Sequence, residues 1–283
     1  MIKIIKNKLV KSTHHQKPIV TDIIFKDNTK KKPIVIFCHG YKGYKNWGAW
    51  DLAAENFAKN NLFFVKFNFS HNGGTAENPI DFPDLEAFGQ NNFTIELNDL
   101  EDVINWILKE PTFKNQIEKS NITLIGHSRG GGIVTIKAAE NNHVSKLITW
   151  SSVSDFGSRF PTGEALEKWK KDGVSYILNG RTHQKMPHLF QFYQNFKENE
   201  ERLTIRNAVK KLAIPHLIIH GEKDVVVLPK EAKNLRLWNP KSELVLINKM
   251  EHALGCKQPW NQQKMPPHLE EVVQKSIEFI KEN

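Results

Sequence analysis

Short apolar runs alternate along the chain with amphipathic stretches, and their order predicts strands and helices in turn. Residues 18–25, P-I-V-T-D-I-I-F, read as a strand that ends in a polar turn at 26–32. Residues 34–38, I-V-I-F-C, are apolar throughout, as a central strand covered on both faces requires. Trp50, Leu52, Ala53, Phe57 and Ala58 stand among polar residues and predict a helix over 47–59, and L-F-F-V-K-F-N-F predicts a strand over 62–69. From 70 to 92, Asn, Gly, Asp and Pro dominate; this loop is longer than usual and predicts a functional or partly helical excursion. Helical spacing returns over 93–108 with Ile95, Leu97, Leu100, Val103, Ile104 and Ile107. A strand at 122–125, a helix at 130–140 and a strand at 146–150 follow.

Residues 151–211 break this rhythm. They hold amphipathic pieces around 165–171 and 187–196 and many aromatic side chains, among them Phe156, Phe160, Trp169, Phe190, Phe192 and Phe196. The alternation then resumes with a strand at 216–220, a helix at 229–237, a strand at 243–247 and a closing helix at 269–280. Such an order predicts an α/β fold with a mostly parallel central sheet flanked by helices on both faces. Residues 1–150 and 212–283 are expected to form its core, with 151–211 inserted as a small helical cap.

The sharpest chemical signal is G-H-S-R-G at 126–130, which directly follows the apolar run I-T-L-I and continues as G-G-G-I-V-T-I-K-A-A. A tight strand-to-helix turn of this kind projects its central serine, Ser128, and needs small residues where the backbone closes on itself. Serine also caps helices, but a cap requires neither flanking glycine. Through this motif and the order of its elements the chain resembles the α/β-hydrolase family over nearly its whole length. That resemblance implies a serine nucleophile, a base histidine, an orienting acid and an oxyanion hole made of backbone amides.

The chain has twelve histidines, so number alone selects none. The family's order of nucleophile, acid and histidine favours His252, in N-K-M-E-H-A-L-G after the strand at 243–247, over His268. His39, His127 and His220 each have a packing or hydrogen-bonding reading. Asp224, just beyond the strand in H-L-I-I-H-G-E-K-D, is the expected acid. Asp155 also follows a strand and is its competitor; Glu222 is weaker, being longer and earlier in the turn.

Negative charge developing on a carbonyl oxygen demands donors already in place. The backbone N–H of Arg129, after the nucleophile, is one candidate, and that of Tyr41 is the other. Tyr41 lies in H-G-Y-K-G-Y-K-N-W-G, which resembles the family's H-G-x-x-G loop. Tyr44, His71, Phe156 and Trp169 are candidate substrate contacts, each with a packing role as the blander reading, and Ser70 with His71 is expected to form a loop hydrogen-bond network.

Composition narrows the function without specifying it. The chain has 283 residues, 39% of them hydrophobic and 25% charged, as an ordinary globular protein does. No stretch approaches the roughly 18 apolar residues of a membrane span, and the lysine-broken N-terminus reads as no secretory signal. Two cysteines, Cys38 and Cys256, make no disulfide framework, so the cytoplasm is the expected location. A net charge of +9 attracts anions, yet no nucleic-acid module accompanies it. No metal pattern is present, and the expected chemistry needs no cofactor. The expected activity is hydrolysis of carboxylic esters with small or medium apolar or aromatic acyl groups, through an acyl-enzyme. Peptidase, amidase or thioesterase activity is the catalytic alternative, and a hydrolase-fold binding or scaffold protein the non-catalytic one. Ser128 disfavours a cysteine-dependent dienelactone hydrolase, and the oligomeric state is left open.

Overall fold

Alternation with period two sorts the side chains of the central strands onto two faces of a sheet. In β3 (Lys32–Cys38), Ile34, Ile36 and Cys38 join one buried cluster while Val35 and Phe37 join the other. The computed structural model describes residues 1–282, and its main sheet has eight strands. In spatial order these are β1 (Ile2–Val10), β2 (Ile19–Lys26), β4 (Phe63–Phe67), β3, β5 (Ile117–His127), β6 (Val144–Trp150), β9 (His216–Gly221) and β10 (Glu243–Ile247). Strands β4 to β10 of that order pair in parallel, whereas β1 and β2 join antiparallel at one edge.

Helices cover both faces. On one, α1 (Trp50–Lys59) and α10 (Pro267–Lys281) pack Ala53, Phe57, Val272 and Ile277 against Phe37, Ile125 and Ile148. The opposite face carries α3 (Phe93–Lys109), α4 (Arg129–Glu140) and α9 (Pro229–Trp238), with Leu97, Leu100, Ile133 and Leu235 in the shared core. Parallel pairing directs the C-terminal ends of β3, β5, β6 and β9 to one edge, where loops of an open α/β sheet gather around a ligand.

Several boundaries differ from the sequence pattern for local reasons. β1 falls on M-I-K-I-I-K-N-K-L-V, where exposed lysines suit an edge strand but hide it from a search for apolar runs. Gly48 at φ +59° delays the start of α1 to Trp50. The polar excursion at 70–92 contains α2 (Leu85–Gln90), capped by the Asp84 side chain accepting from Ala87 N at 2.9 Å.

The insertion is not purely helical. It contains α5 (Glu164–Asp172), an antiparallel hairpin of β7 (Val174–Leu178) and β8 (Lys185–Leu189), then α6 (Gln191–Glu198), α7 (Glu200–Leu203) and α8 (Ile205–Lys211). β-Branched and aromatic residues in V-S-Y-I-L favour the extended form where the helical pattern lapses. Trp169, Phe192 and Phe196 of this region are buried in the same cluster as α3 and α4. Among the described residues no helix is long and apolar enough to cross a membrane.

Candidate active site

Ser128 sits between the end of β5 and the start of α4 at φ 56° and ψ −121°, a backbone conformation that costs a non-glycine residue energy. Two glycines make the turn sterically feasible. A Cβ on Gly130 would lie 2.5 Å from the carbonyl oxygens of both Cys38 and His39, and one on Gly126 would overlap Gly130 O and Val134. Close approach of the β3 end to the first turn of α4 therefore excludes any side chain at Gly130.

His252, in the loop after β10, places Nε2 3.0 Å from Ser128 Oγ. Its Nδ1 is 2.7 Å from Asp224 Oδ2. The Asp224 side chain is fully buried after β9, and its Oδ1 accepts from the amides of Val226 at 2.9 Å and Val227 at 2.8 Å. Burial alone would raise this carboxyl group, but hydrogen bonds from His220, His252 and the Val227 amide hold it well below the usual carboxylate range. His220 Nε2 is 2.8 Å from Val227 O and 3.4 Å from Asp224 Oδ2, so its proton belongs chiefly to the carbonyl and supports the carboxylate only at longer range. Asp155 is exposed and accepts from Gly157 N at 2.8 Å and Ser158 N at 3.2 Å in its own turn; Glu222 is exposed, and neither hydrogen-bonds His252.

The flanking histidines hold the loops. His127 Nε2 lies 2.9 Å from His252 O, and burial lowers its pKa to about 3, so the neutral ring donates to that carbonyl. His39 Nδ1 is 2.9 Å from Gly40 O, which shapes the turn leading to Tyr41, and burial lowers its pKa to about 4. The amides of Tyr41 and Arg129 donate no hydrogen bond within the described residues and are free for an oxygen at the site. The Arg129 side chain packs across the Tyr41 ring with its guanidinium carbon 4.3 Å from the centroid, and pairs with buried Glu96 at 3.3 Å.

Two cavities meet at Ser128 and His252. One, of about 500 Å³, is walled by Phe93, Phe156, Phe160, Trp169, Ile177 and Phe192. Phe156 and Trp169, expected as contacts, lie in this wall; Phe93 stacks on Phe156 at 3.9 Å between centroids. The second, of about 480 Å³, opens past Trp47, Lys42, Asn179, Arg181, Lys257 and Gln258. Tyr44 and His71 line neither. The Tyr44 ring is fully buried against Phe82, and its hydroxyl donates to Asp81 at 3.2 Å. His71 is held by Ser70 Oγ at 2.7 Å, which in turn donates to Asp99 at 2.8 Å, a network that ties the β4 end to α3.

His188 carried no sequence signal. It stands on β8, and the hairpin brings its Nε2 to 2.9 Å from Tyr41 Oη, joining the insertion to the loop that carries the Tyr41 amide. Phe93, at the start of α3, was legible only as a helix residue.

A hydroxyl hydrogen-bonded to an imidazole whose second nitrogen faces a carboxylate can lose its proton as it attacks an electrophilic carbon. Free amides beside it can receive the charge that attack creates.

Comparison with known proteins places this geometry in a family context. The BD-FAE family model matches residues 21–238. The uncharacterized peptidase YtmA of Bacillus subtilis is 28% identical over 109 residues, 38% of this chain, and the match spans only 37% of that protein. A putative esterase/lipase 1 of Mycoplasma pneumoniae is 27% identical over 211 residues, covering 64% of this chain and 76% of the relative. Among solved structures, Est1E of Butyrivibrio proteoclasticus with ferulic acid bound superposes with a TM-score of 0.68 at 17% identity, over 96% of this chain and 97% of that one, and so shares its fold.

Proposed function

The chain belongs to the BD-FAE family, and on that premise we propose that it hydrolyses carboxylic esters through an acyl-enzyme formed on Ser128. The observation that carries the proposal is the unbroken relay from Asp224 Oδ2 through His252 to Ser128 Oγ, with links of 2.7 and 3.0 Å. Ser128 Oγ attacks the ester carbon while His252 Nε2 takes its proton. The carbonyl oxygen becomes an oxyanion between the amides of Tyr41 and Arg129. Collapse breaks the bond to the alcohol oxygen, which receives the proton from His252, and the acyl group stays on Ser128. Water then gives a proton to the same nitrogen and attacks the acyl carbon; breaking the bond to Ser128 Oγ, which takes that proton back from His252, releases the acid. Asp224 keeps Nδ1 protonated and stabilises the imidazolium in both halves.

An apolar or aromatic acyl group of medium size suits the cavity walled by Phe93, Phe156, Phe160, Trp169 and Phe192. The name of the Mycoplasma relative, a putative esterase/lipase, agrees with an ester substrate, and the ferulic acid held by Est1E with an aromatic acyl group. A fluorophosphonate probe should label the folded protein and fail on Ser128→Ala. Matched ester, thioester and amide substrates with one aromatic acyl group should rank the ester first. Absence of labelling on folded wild-type protein, or labelling that survives Ser128→Ala, overturns the proposal.

A further inference from the structure

The two cavities share Tyr41, Lys42, Ser128 and His252, and neither is lined by an aspartate or a glutamate; they differ in the cations that each adds to Lys42. Around the aromatic one, each arginine already faces a carboxylate: Arg129 pairs with Glu96 at 3.3 Å and Arg159 with Glu231 at 2.5 Å. The second cavity adds Arg181 and Lys257 to the shared Lys42. Arg181 pairs with Asp81 outside that lining, but Lys42 and Lys257 have no ion-pair partner among the described residues. Lys42 is half-buried with its Nζ 5.3 Å from the Tyr41 ring centroid; burial lowers its pKa, and no carboxylate stands beside it to offset the cost.

The uncharged polar groups of this cavity offer donors too. Asn179 Oδ1 accepts from the amides of Arg181 at 3.0 Å and Thr182 at 3.4 Å, and Gln258 Oε1 accepts from Gly48 N at 2.6 Å. Their acceptor oxygens are thus occupied; the Asn179 NH₂ remains, while that of Gln258 faces the Tyr44 hydroxyl. A cavity with two unpaired ammonium groups, a side-chain amide donor and no acid complements an oxygen-rich anion.

Which half of an ester enters it follows from the proton's path. His252 Nε2 must reach the oxygen of the departing alcohol, and Ala253, Lys257 and Gln258, on the same stretch of chain as His252, line this cavity and not the aromatic one. We propose that this cavity receives the leaving alcohol and that the alcohol carries an anionic group, a carboxylate or a phosphate, held by Lys42 and Lys257. The assignment rests on the ester-hydrolase reading above and adds the charge and position of the second half of the substrate.

The test uses two chromogenic esters of 3-phenylpropanoic acid, with 4-nitrophenol and with 3-carboxy-4-nitrophenol as leaving groups. Charge-assisted contacts of this kind should raise kcat/KM for the carboxylated ester about tenfold over the neutral one. Salt should erode that ratio, Lys42→Met and Lys257→Met should each pull it toward one, and Lys257→Glu should bring it below one. A third ester with a phosphate in place of the carboxylate tells which anion is preferred. A monoester with its carboxylate at the far end of the acyl chain and 4-nitrophenol as leaving group should gain nothing. A wild-type ratio of one with both esters turned over overturns this inference and leaves the esterase reading intact. A gain only for the acyl-side carboxylate overturns the assignment to the leaving group. No turnover of any ester, together with no fluorophosphonate labelling, overturns both.

Discussion

Replacing Asp224 by asparagine should silence the site through a single proton. In the wild type, Asp224 Oδ1 accepts from two amides, Val226 and Val227, at 2.9 and 2.8 Å, while Oδ2 faces His252 Nδ1 at 2.7 Å. The asparagine amide has two orientations. One keeps its oxygen on the Val226 and Val227 amides and turns its NH₂ toward His252. The other turns the NH₂ onto those amides, leaves the buried Val227 donor without an acceptor and costs about 1–3 kcal/mol there. The first therefore wins. An NH₂ facing Nδ1 forces that nitrogen to accept, which moves the imidazole proton to Nε2, where it meets the Ser128 hydroxyl as a donor. His252 then cannot take the proton of Ser128. Wrong-tautomer substitution in a serine triad lowers kcat by about 10⁴, equivalent to about 5 kcal/mol of transition-state stabilisation. Steady-state hydrolysis of a 4-nitrophenyl ester measures the loss, with circular dichroism and a melting curve to show that the fold persists. Asp155→Asn, a change in an exposed turn, should retain turnover within about twofold. A folded Asp224→Asn protein with a tenth or more of wild-type kcat, or a selective loss in Asp155→Asn, refutes the reasoning.

Gly130→Ala should destabilise the protein by about 2–4 kcal/mol, because the new methyl group meets the Cys38 and His39 carbonyls at 2.5 Å; an unchanged urea midpoint would contradict the close approach. Phe156→Ala removes a ring that walls the aromatic cavity and stacks on Phe93 at 3.9 Å. It should cost about 3 kcal/mol of stability and lower kcat/KM for aromatic esters more than for acetyl esters, so an equal fall for both would speak against the acyl assignment. Burial would raise the Asp22 carboxyl, but Lys66 and Lys45 at 2.9 and 2.8 Å outweigh it and bring its pKa to about 2 from 3.8. A group lowered on folding contributes stability above its unfolded pKa and loses it as pH falls through the folded one. About 2 kcal/mol should accordingly disappear between pH 4 and pH 2, and unfolding free energies of wild type and Asp22→Asn with equal slopes across that window would exclude the effect.

Much of the fold was legible because its core strands are short and apolar. I-V-I-F-C, I-T-L-I and H-L-I-I-H each lie within a parallel strand, and the pattern that marks them is the burial of both faces. β1 escaped notice because only one of its edges pairs and its lysines face solvent. The hairpin of β7 and β8 escaped because a two-stranded piece inside an aromatic-rich insertion has no period long enough to separate it from the helices around it. At the site, Ser128 was legible from its glycines, whose need is local and steric. Tyr44 and His71 lie in loops beside the site, yet packing against Phe82 and bonding to Ser70 keep them out of both cavities.

The sequence by itself determined the order of the strands and helices around the parallel part of the sheet, the turn at Ser128 and a short choice of partners for it, since these depend on periodicity and on residues a few positions apart. Tertiary structure alone decided that Asp224 and not Asp155 meets His252, that His188 reaches Tyr41, and that Lys42 and Lys257 share a cavity without an acid. Those relations join segments far apart in the chain. Their distances are set by sheet pairing and loop closure, which no local pattern encodes.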